Sequence, residues 1–206
     1  MNVELRVEDN EFIGVRVTGS VDIPDTVTKI GDSTFKGHPI TSATIPDSVA
    51  LIADSMFHHC IALTQVNIPD SVVYIGKHAF SDCYSLTNIN IPDSVASIDD
   101  CAFANCTSLL DINLPRSVMC IGDSVFSGCS SLTGITIPDN VVCIGDRAFY
   151  GCTSLTDITI PASVEYVGYD AFSGCTSLAQ IKVPKHFDAE AVKQWGLPDT
   201  CEIIWY

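Results

Sequence analysis

Along most of the chain, two apolar residues flank one polar residue and are followed by Pro-Asp and a short apolar stretch. An Ala-Phe pair and a Cys come next, and then the pattern restarts. In Ile137–Thr159 it reads IPDNVVCIGDRAFYGCTSLTDIT, and a shift of 23 residues lays it over IPASVEYVGYDAFSGCTSLAQIK from Ile160, two such shifts the other way over IPDSVASIDDCAFANCTSLLDIN from Ile91. Self-similarity at such a period marks a stacked array, because each unit lacks a partner for its apolar face until a neighbour covers it. Units begin at Ile23, Ile45, Ile68, Ile91, Leu114, Ile137 and Ile160, the first being one residue short at Lys36–Ile40.

Each unit can be parsed physically. The alternating pairs Val66/Ile68, Ile89/Ile91, Ile112/Leu114, Ile135/Ile137 and Ile158/Ile160 are joined by Val21/Ile23, Ala43/Ile45 and Ile181/Val183. They predict eight short parallel strands, one per turn of the array and about 4.8 Å apart. Proline then ends the strand, having no donor for the ladder, and Asp bonds local backbone. An apolar leg such as Val141–Ile144 leads to Gly-Asp, where Asp is expected to cap a single helical turn holding Ala-Phe. The fold class expected is an α/β repeat: a right-handed solenoid with a parallel sheet on its concave side and short helical turns on its convex side.

Three segments follow. In residues 1–22, Val3, Leu5 and Val7 alternate with Glu4, Arg6 and Glu8, and Asp9-Asn10 signals a turn before a return strand from Phe12 to Val17. This predicts a hairpin capping one end. Residues 23–183 hold seven repeats of about 23 residues. In residues 184–206, Asp188 is placed to cap a helix reaching Trp195, Gly196 and Pro198 to close it, and Cys201–Tyr206 to form a strand. This second cap is expected to be anchored by Phe187 and Trp195.

Two further files run through the repeats. Phe35, Phe57, Phe80, Phe103, Phe126, Phe149 and Phe172 share one register, which predicts rings stacked along the core. Cys60, Cys83, Cys106, Cys129, Cys152 and Cys175 form a second file, read as buried free thiols because neighbours face the same way. Cys120 and Cys143 also share a register on adjacent units, which leaves open whether they are joined or free. Cys101 and Cys201 have no evident partner.

The net charge of −15 excludes a nucleic-acid partner, which needs a basic footprint, and disfavours an anionic membrane surface. The acidity is a product of repetition: Asp25, Asp47, Asp70, Asp93 and Asp139 follow the proline, and Asp32, Asp54, Asp100, Asp123 and Asp146 precede Ala-Phe. No run of apolar residues is long enough to insert in a membrane, and the opening MNVELRVEDN lacks the pattern of an export signal.

No catalytic motif occurs, so an enzyme is not expected, nor a cofactor. His58, His59 and His78 fall in or beside the helical turns, and His38 takes the place of a file Cys, but nothing fixes four ligands around a metal. The positions free to choose a partner flank the strand Ile or Val. One file runs Ser42, Gln65, Asn88, Asp111, Gly134, Asp157, Gln180, and the other Thr44, Asn67, Asn90, Asn113, Thr136, Thr159, Lys182. Candidate binding residues are therefore Gln65, Asn67, Asn88, Asn90, Asp111, Asn113, Thr136, Asp157 and Thr159.

Leu86-Thr87-Asn88-Ile89-Asn90-Ile91 carries the LxxLxL core of a leucine-rich repeat, and the full unit with its regular Phe and Cys resembles the BspA-like class over roughly residues 18–184. Ser48, Ser71, Ser94, Ser117 and Ser163 stand second after the proline that ends the strand, where they are expected to replace the internal Asn ladder of other classes. The resemblance implies a surface or secreted protein adhering to host matrix or to other cells, through a protein partner on the solenoid surface. A glycan held by the concave Asn, Gln and Thr files is the alternative, and a cation held by the Asp files a third.

Overall fold

The computed structural model describes residues 7–8, 11–12 and 17–206. The expected positions of Val3, Leu5 and the Asp9-Asn10 turn lie outside the described residues, as do 13–16 of the return strand. Val7–Glu8 pairs antiparallel with Glu11–Phe12, which pairs parallel with Lys29–Ile30.

From there the chain winds as a solenoid, and each coil contributes to two parallel sheets. The main sheet face is built from three paired sets of strands: Gly19–Asp22, Ile40–Thr44 and Gln65–Asn67; Asn88–Asn90 and Asp111–Asn113; and Asp157–Thr159, Gln180–Val183 and Glu202–Trp205. Its register steps by one coil, Ile89 opposite Ile112 and Ile158 opposite Ile181. In Gln65–Asn67, Asn88–Asn90, Asp111–Asn113 and Asp157–Thr159 the central Val or Ile is buried and its two neighbours are exposed, the consequence of alternating side-chain direction in a strand.

One expected strand is missing. Gly134–Thr136 forms no strand, and Ile135 is only partly buried. Every other coil places a side chain at the position of Gly134. Glycine there leaves a flexible backbone and nothing to pack against the neighbouring strands. At the far end, Glu202–Trp205 adds a rung in register with Gln180–Val183.

The lateral sheet has six strands: Leu51–Ile52, Tyr74–Ile75, Ser97–Ile98, Cys120–Ile121, Cys143–Ile144 and Tyr166–Val167. The second residue of each is buried, and the first points outward. The sequence shows this segment only as an apolar leg, because two residues are too few to display an alternation.

The Ala-Phe segments are turns, and the single helix among the described residues is Ala189–Lys193. The backbone hydrogen bonds explain the departure from the expected helical turns. Ser55, Phe57 and His59 donate to Lys77, Ala79 and Ser81 of the next coil, while Met56, His58 and Cys60 donate within their own turn. Alternate donors thus bind sideways, which a helix with its internal ladder does not permit. The arrangement requires left-handed backbone at residues such as Ser55, His78, Cys101, Ser124 and Arg147. The Asp before Ala-Phe likewise acts on the neighbouring coil and does not cap its own. Asp54, Asp100, Asp123 and Asp146 accept from the backbone N–H of Lys77, Asp123, Asp146 and Tyr169. Gly122 lies against this bond, and a Cβ there would stand 2.9 Å from Asp100 Oδ1.

Inside, the seven file phenylalanines are fully buried and stack along the axis, with Phe80–Phe103 centroids 5.3 Å and Phe103–Phe126 centroids 5.8 Å apart. Trp195 continues the stack beyond Phe172 at 6.4 Å, and Phe187 meets it edge-on at 5.1 Å. The six file cysteines are buried free thiols, each donating Sγ–H to the carbonyl of the Phe in an adjacent coil, as Cys106 does to Phe80 at 3.2 Å. Serines after Pro-Asp form a second internal ladder, Ser71 donating to Val49 O at 2.7 Å and Ser94 to Val72 O at 2.7 Å. Asp188 caps the helix through Ala191 N at 2.8 Å, and the helix ends at Lys193, before Trp195. Cys120 and Cys143, left open by the sequence, are joined in a disulfide across adjacent lateral strands.

Candidate interaction surface

All nine candidate residues are exposed on the main sheet, and the structure gathers five of them. Asp111, Asn113, Thr136, Asp157 and Thr159 surround a depression of about 500 Å³ centred on Gly134, together with Thr133, Asp139 and Tyr206. Gln65, Asn67 and Asn88 lie on the same face outside the recess. Asn90 borders a separate hollow of about 360 Å³ with Asp70, Asp93 and Ser94.

Two local causes make the larger recess. Gly134 has no side chain, and nothing lies within 4 Å of where its Cβ would be. The coil also forms no strand there, so the face drops between Asp111–Asn113 on one side and Asp157–Thr159 on the other. The walls are held in place from within: Thr156 Oγ1 donates to Thr133 O at 3.3 Å and lies 3.0 Å from Asp157 Oδ2. Tyr206 closes one end, its hydroxyl donating to Ile160 O at 2.7 Å from two coils away.

Sequence reasoning did not include Tyr206, whose partner lies 46 residues away. The signal for the recess itself was present in Gly134, the one residue without a side chain in a file of Ser, Gln, Asn and Asp.

The recess has three carboxylates, from Asp111, Asp139 and Asp157, and no basic side chain among the described residues lining it. It offers hydrogen-bond acceptors and hydroxyls around an apolar floor of Ile135 and Ile158. Among the described residues, no group of three or more His, Cys, Asp or Glu is placed to hold a metal ion. His58 is half-buried with Nε2 3.5 Å from Asp82 Oδ2, and burial holds its imidazole below the usual value.

The period, the paired sheets and the Phe and Cys files have a counterpart among known proteins. A sequence profile described as the BspA type leucine rich repeat region (6 copies) matches residues 6–118 and 73–191. The chain belongs to this family. Among solved structures, this BspA-type chain is similar to a leucine rich cell surface protein from Faecalibacterium prausnitzii A2-165. They share 36% identity with a TM-score of 0.76, over 86% of this chain and 52% of that one. The chain thus spans about half the length of that relative. It is also similar to the T. pallidum leucine rich repeat protein, at 26% identity and a TM-score of 0.77, over 97% of this chain and 96% of that one. No curated protein matches the chain. Repeat proteins of this family generally serve protein interaction, and no described helix is long and apolar enough to cross a membrane.

Proposed function

We propose that this BspA-type chain is a non-catalytic adhesion module that binds a protein partner at the recess around Gly134. The observation that carries this reading is the convergence of Asp111, Asn113, Thr136, Asp157 and Thr159 around the coil whose strand is missing. Regular solenoid faces repeat the same contacts at every coil. A partner finds a unique address only where the repeat is interrupted. The array of residues 23–183 presents that face, and residues 1–22 and 184–206 serve as its end caps. The partner would come from host matrix or another cell, and exposure at a cell surface is supported by the similarity to the F. prausnitzii cell surface protein.

A glycan is the second reading, favoured by the Asp, Asn and Thr lining and the Tyr206 ring at one end of the recess.

The test is binding to immobilised matrix proteins, to intact bacterial and host cells, and to a glycan array, with Gly134→Arg and Asn67→Arg alongside. The proposal expects binding that Gly134→Arg abolishes and Asn67→Arg leaves intact. Equal binding by Gly134→Arg rules the recess out. Hits confined to the glycan array replace the protein partner with a sugar.

A further inference from the structure

We infer a second docking surface on the lateral sheet, shaped for a cationic amphipathic helix. It stands on different residues from the recess and does not rest on the reading of that site.

From Ala50 to Cys143 each coil shows two exposed or half-exposed residues on this sheet, and none of these positions carries a charge. The large ones are Leu51, Val73, Tyr74, Met119 and Val142. Val73 and Met119 leave 51% and 58% of their surface in solvent. A chain with a net charge of −15 would dissolve more readily with charges here. Exposed apolar side chains on neighbouring coils, with only the small Ala96 and Ser97 at the middle one, mark an interaction site.

The borders specify the partner. Asp47, Asp70, Asp93 and Asp139 precede the stripe in their coils, and Asp54, Asp100, Asp123 and Asp146 follow it. Arg116 and Lys77 are the exceptions, and Lys77 is occupied by Asp100 at 3.0 Å. An apolar band between two acidic rails complements an apolar band between two basic ones. A second copy of this chain would bring rail against like rail, and an anionic membrane would be repelled.

The backbone selects a helix over an extended peptide. The stripe lies on the face of a sheet whose strands already pair with one another, so it offers no free backbone groups to a strand. A helix satisfies its own backbone and needs only side-chain contact. Four coil steps of about 4.8 Å make the stripe roughly 19 Å long, which matches roughly 13 residues of helix.

The experiment uses fluorescence anisotropy at about 0.15 M salt, where charges further apart than the Debye length are screened. The probe is a Lys/Leu peptide of roughly 14 residues, amphipathic as a helix, against a scrambled isomer of the same composition. The wild-type chain is expected to bind the amphipathic peptide at least about tenfold more tightly than the isomer. Val73→Glu and Met119→Glu should each weaken that binding about tenfold. Because each adds a carboxylate to an acidic protein, attraction by net charge alone would strengthen instead. Gly134→Arg should bind the peptide as wild type does, which separates this surface from the recess. Circular dichroism checks that the variants fold, with Met119→Gln replacing any that do not. Equal binding of the scrambled isomer, or undiminished binding by both Glu variants, overturns the proposal. Self-association in sedimentation that Met119→Glu abolishes also overturns it, by making the occupant a second copy.

Discussion

The Tyr74 hydroxyl donates to Asp99 Oδ2 across 2.6 Å, tying one coil to the next where the repeat departs from its rule. Most coils carry Asp at the position of Lys77, and the carboxylates of Asp54, Asp100, Asp123 and Asp146 each receive a backbone N–H from the next coil. The Tyr74 coil carries Gly76-Lys77 and so lacks that acceptor. The next coil compensates with Asp99 in place of Gly, and Asp99 Oδ1 accepts from Asp100 N at 2.7 Å within the same coil. Lys77 turns to Asp100 Oδ2 at 3.0 Å. Three substitutions thus work as one unit.

The Tyr74–Asp99 bond makes stability pH-dependent at both extremes. The bond to Tyr74 is the main cause holding the Asp99 carboxyl below its usual range, so its contribution is complete above about pH 4 and lost as pH falls through the lowered folded value. The same bond, with burial, raises the Tyr74 phenol, so its contribution is complete below about pH 10 and lost as pH rises further. Tyr74→Phe should cost about 1 kcal/mol near neutrality, the bond being part-exposed. Urea melts across pH should show that the difference from wild type is flat in the middle and shrinks at both ends. A difference independent of pH would show that the phenol acts only through packing.

Thiol chemistry should sort the ten cysteines into three classes. The six file thiols are buried and raised in pKa by that burial, Cys60, Cys129 and Cys175 to about 12, so they should resist reagents until the protein unfolds. Cys101 and Cys201 are partly exposed and should react in the native state. Mild reduction should add Cys120 and Cys143 to that reactive set. Their bridge closes 23 residues of chain, so Cys120→Ser with Cys143→Ser should cost about 3 kcal/mol on the chain-entropy account. Mass spectrometry of labelled native, reduced and denatured protein reads the three classes directly.

Phe103 sits mid-stack, fully buried and within 5.8 Å of both neighbouring rings. Phe103→Ala removes one ring from a column that offers no other side chain to refill the space. The expected cost is about 3–5 kcal/mol. Because each coil leans only on its neighbours, the damage should divide the array. Chemical denaturation monitored by hydrogen exchange should then show the two flanking blocks unfolding separately, where the wild type unfolds together.

The period revealed the solenoid because apolar residues at one register in every coil have nowhere to go but a shared interior. The same logic placed the Phe, Cys and Ser ladders. What stayed hidden depended on features that leave no periodic trace. The lateral strands are two residues long. Several left-handed residues at the Ala-Phe turns, such as His78, Cys101 and Arg147, carry no turn signature, so a helix looked the natural reading. Whether Cys120 and Cys143 join rests on the lean of two side chains, and Tyr206 reaches its recess across two coils.

Gly134 is where fold and proposed function meet, and one substitution probes both. Space around its Cβ position is open, so Gly134→Val meets no clash, and a β-branched residue favours extended backbone. The main sheet lacks a strand only in this coil among the described residues between Gly19 and Trp205. Valine should therefore allow residues 134–136 to join the strands on either side, stabilising the protein by up to about 1 kcal/mol. Hydrogen exchange should show new protection at Ile135 and Thr136. If the recess is the address of a partner, the variant will be the more stable protein and the poorer binder. A variant that gains protection while keeping full binding would place the partner elsewhere on the solenoid.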